Sequence, residues 1–157
     1  MSDSVHQAAL DLLTRREHSR RELARKLRRK GHSSEAIEAV LDRLEAAGLV
    51  SDERYARLYV RDRLAVNPQG KRRIVRGLLA KGIAPELAST AVEEVYASED
   101  VSDRASAEAL ARRRLRALAD LDPLARRRRL SGYLARRGFD SGTVGEVLSE
   151  VLRPREV

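Results

Sequence analysis

The chain has no cysteine, no tryptophan and a single phenylalanine. Without cysteine it can build no disulfide framework, no thiolate metal site and no thiol nucleophile, which suits a reducing cytosol. No stretch approaches the ~18 consecutive apolar residues that a membrane span needs. Met1-Ser2-Asp3-Ser4 runs straight into helix-like sequence, with no charged segment leading into an apolar one. No signal peptide is therefore expected, and the expected location is cytoplasmic. Catalytic patterns are missing too. Gly70-Lys71 lacks the upstream glycine and following hydroxyl of a phosphate-binding loop, and His6, His18 and His32 show neither HExxH spacing nor an acidic ligand cluster. No enzyme activity, catalytic residue, metal or cofactor is expected. Aromatics make up 3% of the residues against 42% hydrophobic. The core must then come from Leu, Val, Ile and Ala, which suits helices packing on helices.

What is present is an internal repeat. Leu23, Leu27 and Gly31 recur 51 residues on as Ile74, Leu78 and Gly82, and a further 56 on as Leu130, Leu134 and Gly138. The segment after each glycine keeps the frame. Ile37, Val40, Leu41 and Leu44 correspond to Ala88, Ala91, Val92 and Val95, then to Val144, Val147, Leu148 and Val151. Gap-free matches of this kind define a repeat architecture.

Each copy reads as three helices. The periodicity predicts them at 4–17, 19–30 and 34–47; at 52–66, 70–81 and 85–96; and at 102–119, 123–137 and 141–152. The predicted fold is all-α: three tandem three-helix repeats of helix-turn-helix type, 1–50, 51–97 and 98–157, in an elongated array. Ser19-Arg20-Arg21-Glu22 reads as a capping box, and Asp52 and Asp122 stand at N-cap positions. Pro85 and Pro123 stand at first helical positions. Gly31, Gly82 and Gly138 each follow a basic last turn, where a left-handed residue ends a helix. That places Ile83 on Leu78 and Phe139 on Leu134, with His32 in the same position of the first copy. Ala97-Ser98-Glu99-Asp100 is the expected flexible joint between the second and third copies.

The net charge is +8, which favours an acidic partner, most simply nucleic acid or a nucleoprotein. More than half of the 32 basic residues fall on the second helices, where Glu22 is the one acid. The third helices are acidic, carrying Glu38, Asp42 and Glu45 in the first copy and Glu86, Glu93 and Glu94 in the second. The candidate partner- or nucleic-acid-binding residues are Arg20, Arg21, Arg25, Arg28 and Arg29; Lys71, Arg72, Arg73 and Arg76; and Arg127, Arg128, Arg129 and Arg136. Arg21, Arg72 and Arg128 share one outward position of the repeat, and Arg20, Lys71 and Arg127 its neighbour. Helix-turn-helix readers insert their last helix into the major groove. Acidic last helices disfavour that, so any DNA contact is expected through phosphates, from the second helices.

Ala9-Leu10-Asp11-Leu12-Leu13-Thr14-Arg15-Arg16-Glu17-His18-Ser19-Arg20-Arg21-Glu22-Leu23 resembles the opening signature of the RecX family. Gly48-Leu49-Val50-Ser51-Asp52-Glu53-Arg54-Tyr55-Ala56, and the run from Gly70-Lys71-Arg72-Arg73-Ile74 to Gly82-Ile83, resemble later parts of it. The likeness covers about residues 5 to 152. Ser51 departs from a common acid, Tyr55 from Phe, and Gly77 from Glu. Gly77 lies inside a helix, at a cost of roughly 1 kcal/mol against Ala. The resemblance implies a negative regulator of the RecA recombinase that binds the RecA–single-stranded DNA filament. It would depress ATP hydrolysis, strand exchange and stimulated repressor cleavage, and so act in homologous recombination, DNA repair and the SOS response. The implied partner is RecA, with single- or double-stranded DNA reachable through phosphates, no membrane, and a monomeric state. A general nucleic-acid-binding protein or helix-turn-helix transcription regulator is the alternative, and it predicts tight, salt-sensitive binding to bare DNA.

Overall fold

The structure is a computed structural model, and it describes residues 2–154. The outer bounds expected at 1 and 157 lie outside the described residues. Nine α-helices follow one another, with no strand among the described residues. They are α1 (Ser2–Arg15), α2 (Arg20–Arg29), α3 (Ser34–Ala46), α4 (Asp52–Val66), α5 (Lys71–Ala80), α6 (Pro85–Ser98), α7 (Asp103–Leu115), α8 (Pro123–Arg136) and α9 (Ser141–Val151). A short 3-10 turn, Arg116–Leu118, extends α7. No described helix is long and apolar enough to cross a membrane.

Two compact units result: Met1–Tyr59 with Gly77–Ala91, and Val60–Arg76 with Val92–Val157. In the first unit α1, α2 and α3 close around Val5, Ala9, Leu23, Leu27, Ile37, Leu41 and Leu44. In the second, α7, α8 and α9 close around Leu110, Leu118, Leu130, Leu134, Phe139 and Leu148. Every position of the repeat frame predicted to be core is buried. Leu23, Leu27, Ile74, Leu78, Leu130 and Leu134 are all 0% exposed. Truncating one such side chain to Ala typically costs 2–5 kcal/mol, against about 1 kcal/mol for an N-cap. Packing therefore carries the fold, and the caps set where each helix begins and ends.

The glycine prediction holds at all three sites. Gly31, Gly82 and Gly138 have φ of 90°, 84° and 91°, in the left-handed region. The His32, Ile83 and Phe139 amides donate back to the Leu27, Leu78 and Leu134 carbonyls at 3.3, 3.1 and 3.3 Å. Gly48 closes α3 in the same way, with φ of 74° and the Leu49 amide donating to the Leu44 carbonyl.

Two caps differ from expectation. Ser19 Oγ does accept from the Glu22 amide at 3.1 Å, but the Glu22 carboxylate pairs with Arg16 at 2.6 Å, so the reciprocal half of the capping box is replaced by an ion pair. Asp52 is the first residue inside α4. Its neighbour Ser51 caps that helix by accepting from the Arg54 amide, and the Asp52 carboxylate turns to another helix altogether. Asp122 caps α8 as expected, with Pro123 following it. The stretch 97–100, expected as a flexible joint between copies, lies inside the second compact unit. Helix α6 runs to Ser98, and Asp100 takes a left-handed conformation while the Val101 amide donates to the Tyr96 carbonyl.

Candidate functional site

The free amides at the start of each of the first two basic helices must find acceptors. In the first unit the Arg20 amide donates to Asp52 Oδ1 at 2.8 Å, and Ser19 Oγ donates to the Lys81 carbonyl at 2.6 Å. The N-terminus of α2 is thus seated on the last turn of α5, with the Arg21 stem lying over Gly82, where a Cβ would collide with it. In the second unit the Lys71 amide donates to Asp103 Oδ2 at 3.0 Å and the Gly70 amide to the Arg137 carbonyl at 2.8 Å. These are the equivalent residues of the repeat, so one joint is made twice. The second is tighter: a Cβ on Gly70 would fall on the Gly138 carbonyl and the Phe139 amide, where Ser19 has room for a side chain.

The joints sort the basic residues. Arg20 forks onto Glu38 at 2.6 Å, Asp42 at 2.9 Å and Glu45 at 2.8 Å, all on α3. Burial works against its charge, and the bonds from Glu38 and Asp42 outweigh that, holding the guanidinium protonated above its ordinary range. Lys71 pairs with Glu93 at 2.9 Å and lies 4.9 Å from the centre of the Tyr96 ring. These two candidates therefore bind their own third helices, and the acids there are partly a clamp for them. The sequence showed the opposite charges of the second and third helices, yet which pairs would meet depends on how the helices pack.

Beside each joint lies a groove. The first, about 600 Å³, is lined by Arg20, Arg21, Arg25, Arg28 and Lys81, and also by the acids Glu22, Glu38 and Asp52. The second, about 940 Å³, runs between α5, α8 and α9. Arg72, Arg73, Arg76, Arg127, Arg128 and Arg136 line it, with no acid among its lining residues. Arg73 is anchored there, donating to the Arg136 carbonyl at 3.2 Å. Arg72, Arg76, Arg127 and Arg128 form no ion pair among the described residues. The charge of Arg72 is felt nearby: Asp140 titrates below the usual carboxylate range, chiefly because it accepts from the Thr143 amide and in part because of Arg72. Arg29 and Arg129 are exposed and line neither groove.

The apolar side of the second groove was not anticipated. Leu124 stands at its mouth, 73% exposed, and Phe139, Val144 and Leu148 form its floor. Leu124 lies off the buried stripe of α8, the one sequence signal that could have marked it. No group of three or more potential metal ligands occurs among the described residues.

Three successive three-helix domains with basic second helices define an all-helical repeat protein. The chain belongs to the RecX family. Models of RecX first, second and third three-helix domains match residues 6–44, 51–92 and 102–148. Regulatory protein RecX of Amycolatopsis mediterranei is 37% identical over 91% of this chain and 80% of its own length. That of Prosthecochloris aestuarii is 36% identical over 97% and 99%. That of Halorhodospira halophila is 39% identical over 91% and 85%. The fold matches the crystal structure of RecX from Lactobacillus salivarius with a TM-score of 0.85, at 22% identity over 96% of both chains.

Proposed function

We propose that this chain is a regulator of RecA: it binds the RecA–single-stranded DNA filament and depresses its ATPase, strand-exchange and coprotease-stimulating activities, with no catalysis of its own. Membership of the RecX family supports the target. The observation that carries the mode of binding is the acid-free groove of six arginines in the second unit. Arginine in such a setting recognises carboxylate or phosphate with paired donors, and a nucleoprotein filament presents both. Arg21, Arg25 and Arg28 add exposed positive charge in the first unit. Arg20 and Lys71, already clamped by acids, contribute to shape rather than to contact.

The same arginines support a second reading, a general nucleic-acid binder acting through phosphates. Fluorescence anisotropy separates the two. Labelled single-stranded DNA is titrated with the chain, bare and then coated with RecA, at several salt concentrations. Regulation through RecA predicts tighter binding to the coated strand. Equal or tighter binding to bare DNA, with a steep salt slope, would favour the general binder.

A further inference from the structure

The groove in the second unit is shaped for more than negative charge. Its walls are the arginines of α5 and α8, but its floor is Phe139, Val144 and Leu148, and Leu124 stands exposed at its mouth. Phosphates need no exposed leucine beside them, and single strands that use an apolar surface stack their bases on exposed aromatic rings. Here the one aromatic residue, Phe139, is 3% exposed and offers no such platform. The groove beside the first joint carries three acids among its lining residues, and this one carries none.

We infer that this groove captures an acidic segment of a partner protein, one that carries apolar side chains between its carboxylates. The carboxylates would take paired hydrogen bonds from Arg72, Arg76, Arg127 and Arg128, while the apolar side chains cover the exposed Leu124. This rests on the reading of the groove as the partner-binding face. It adds that the groove reads protein, while DNA phosphates, if met, are met elsewhere.

Gly145 supplies a test that leaves the charge untouched. It lies on α9 in the wall of the groove, and a Cβ there would meet nothing within 4 Å. Gly145→Trp therefore places a bulky ring at the groove wall while keeping every arginine. Three labelled probes are titrated against the full chain: a peptide of Asp and Glu interspersed with Leu and Phe, its twin with Ser in place of Leu and Phe, and oligothymidylate of matched charge. The acidic-apolar peptide should bind, with the Ser twin weaker by at least about tenfold. Gly145→Trp should weaken the first peptide by about tenfold or more and change oligothymidylate binding by less than about twofold. Arg76→Glu with Arg128→Glu should lower peptide binding as strongly. If Gly145→Trp does not give a wild-type helical spectrum, Leu124→Asp, an exposed site at the groove mouth, takes its place with the same expectation. Equal binding of the two peptides, or an unchanged peptide affinity with the ring in place, would overturn the inference. Loss of oligothymidylate binding in that variant would assign the groove to nucleic acid instead. None of these titrations contains RecA, so their failure is distinct from a failure to inhibit RecA.

Discussion

His18 is buried, 1% exposed, and held at both ring nitrogens. Nδ1–H donates to the Arg16 carbonyl at 3.0 Å, which leaves Nε2 to accept from the Lys26 ammonium at 2.8 Å. A proton on Nε2 would remove that acceptor and set cation against cation. Burial, and then the charges of Arg16 and Lys26, hold the imidazole below its ordinary value of 6.5. The unfolded chain binds this proton more readily than the folded one, so the stabilisation is complete above about pH 6.5 and is lost as pH falls towards the lowered folded value. Thermal midpoints measured from about pH 7 to 5, above the range in which Glu22 titrates, should fall for the wild type and fall less for His18→Gln. A parallel decline in both would show that His18 does not carry the effect. The adjacent Ser19 makes the joint to Lys81, so this residue-scale cluster supports the seat of α2.

Among the elements, α5, α8 and α9 contain glycines where a helix would rather have another residue, and Gly77 and Gly145 show two extremes. The neighbours decide what that costs. At Gly145 a Cβ meets nothing within 4 Å, whereas at Gly77 it would collide with the Tyr59 hydroxyl. Gly145→Ala should therefore raise folding stability by about 0.5–1 kcal/mol. Gly77→Ala should return less than that, or a loss, because Tyr59 must move. Chemical denaturation of both variants checks the pair, and equal gains would contradict it. From its place in a helix alone Gly77 is a plain penalty; in the fold the Tyr59 ring lies where its side chain would go. The helices themselves were legible because the 3.6-residue period and the left-handed glycines act locally. Asp52 was misread for the opposite reason: its acceptor role spans 32 residues to Arg20, and local spacing does not encode such a pairing.

At the scale of the whole molecule, the repeat explains both what was legible and what was not. Arg72, Arg76, Arg127 and Arg128 were identifiable as outward-facing, and they line one groove. Arg20 and Lys71 looked equivalent to them and are instead held by α3 and α6, since a residue at a helix start lies within reach of the next helix's acids. The apolar floor could not be read at all, because Phe139 and Val144 also serve the core. Exposed arginines contribute modestly one at a time, being screened by salt, but linked sites compound. Changing Arg21, Arg72 and Arg128 together to Glu should thus cost far more than any single change, with helicity kept because the core leucines are untouched. The most direct test is the steady-state ATPase of RecA on single-stranded DNA, titrated with the wild-type chain and with this triple variant. The account predicts no ATP hydrolysis by the chain alone, a progressive fall in RecA turnover with wild type, and little fall with the folded variant. RecA turnover unchanged at saturating wild-type chain would contradict it.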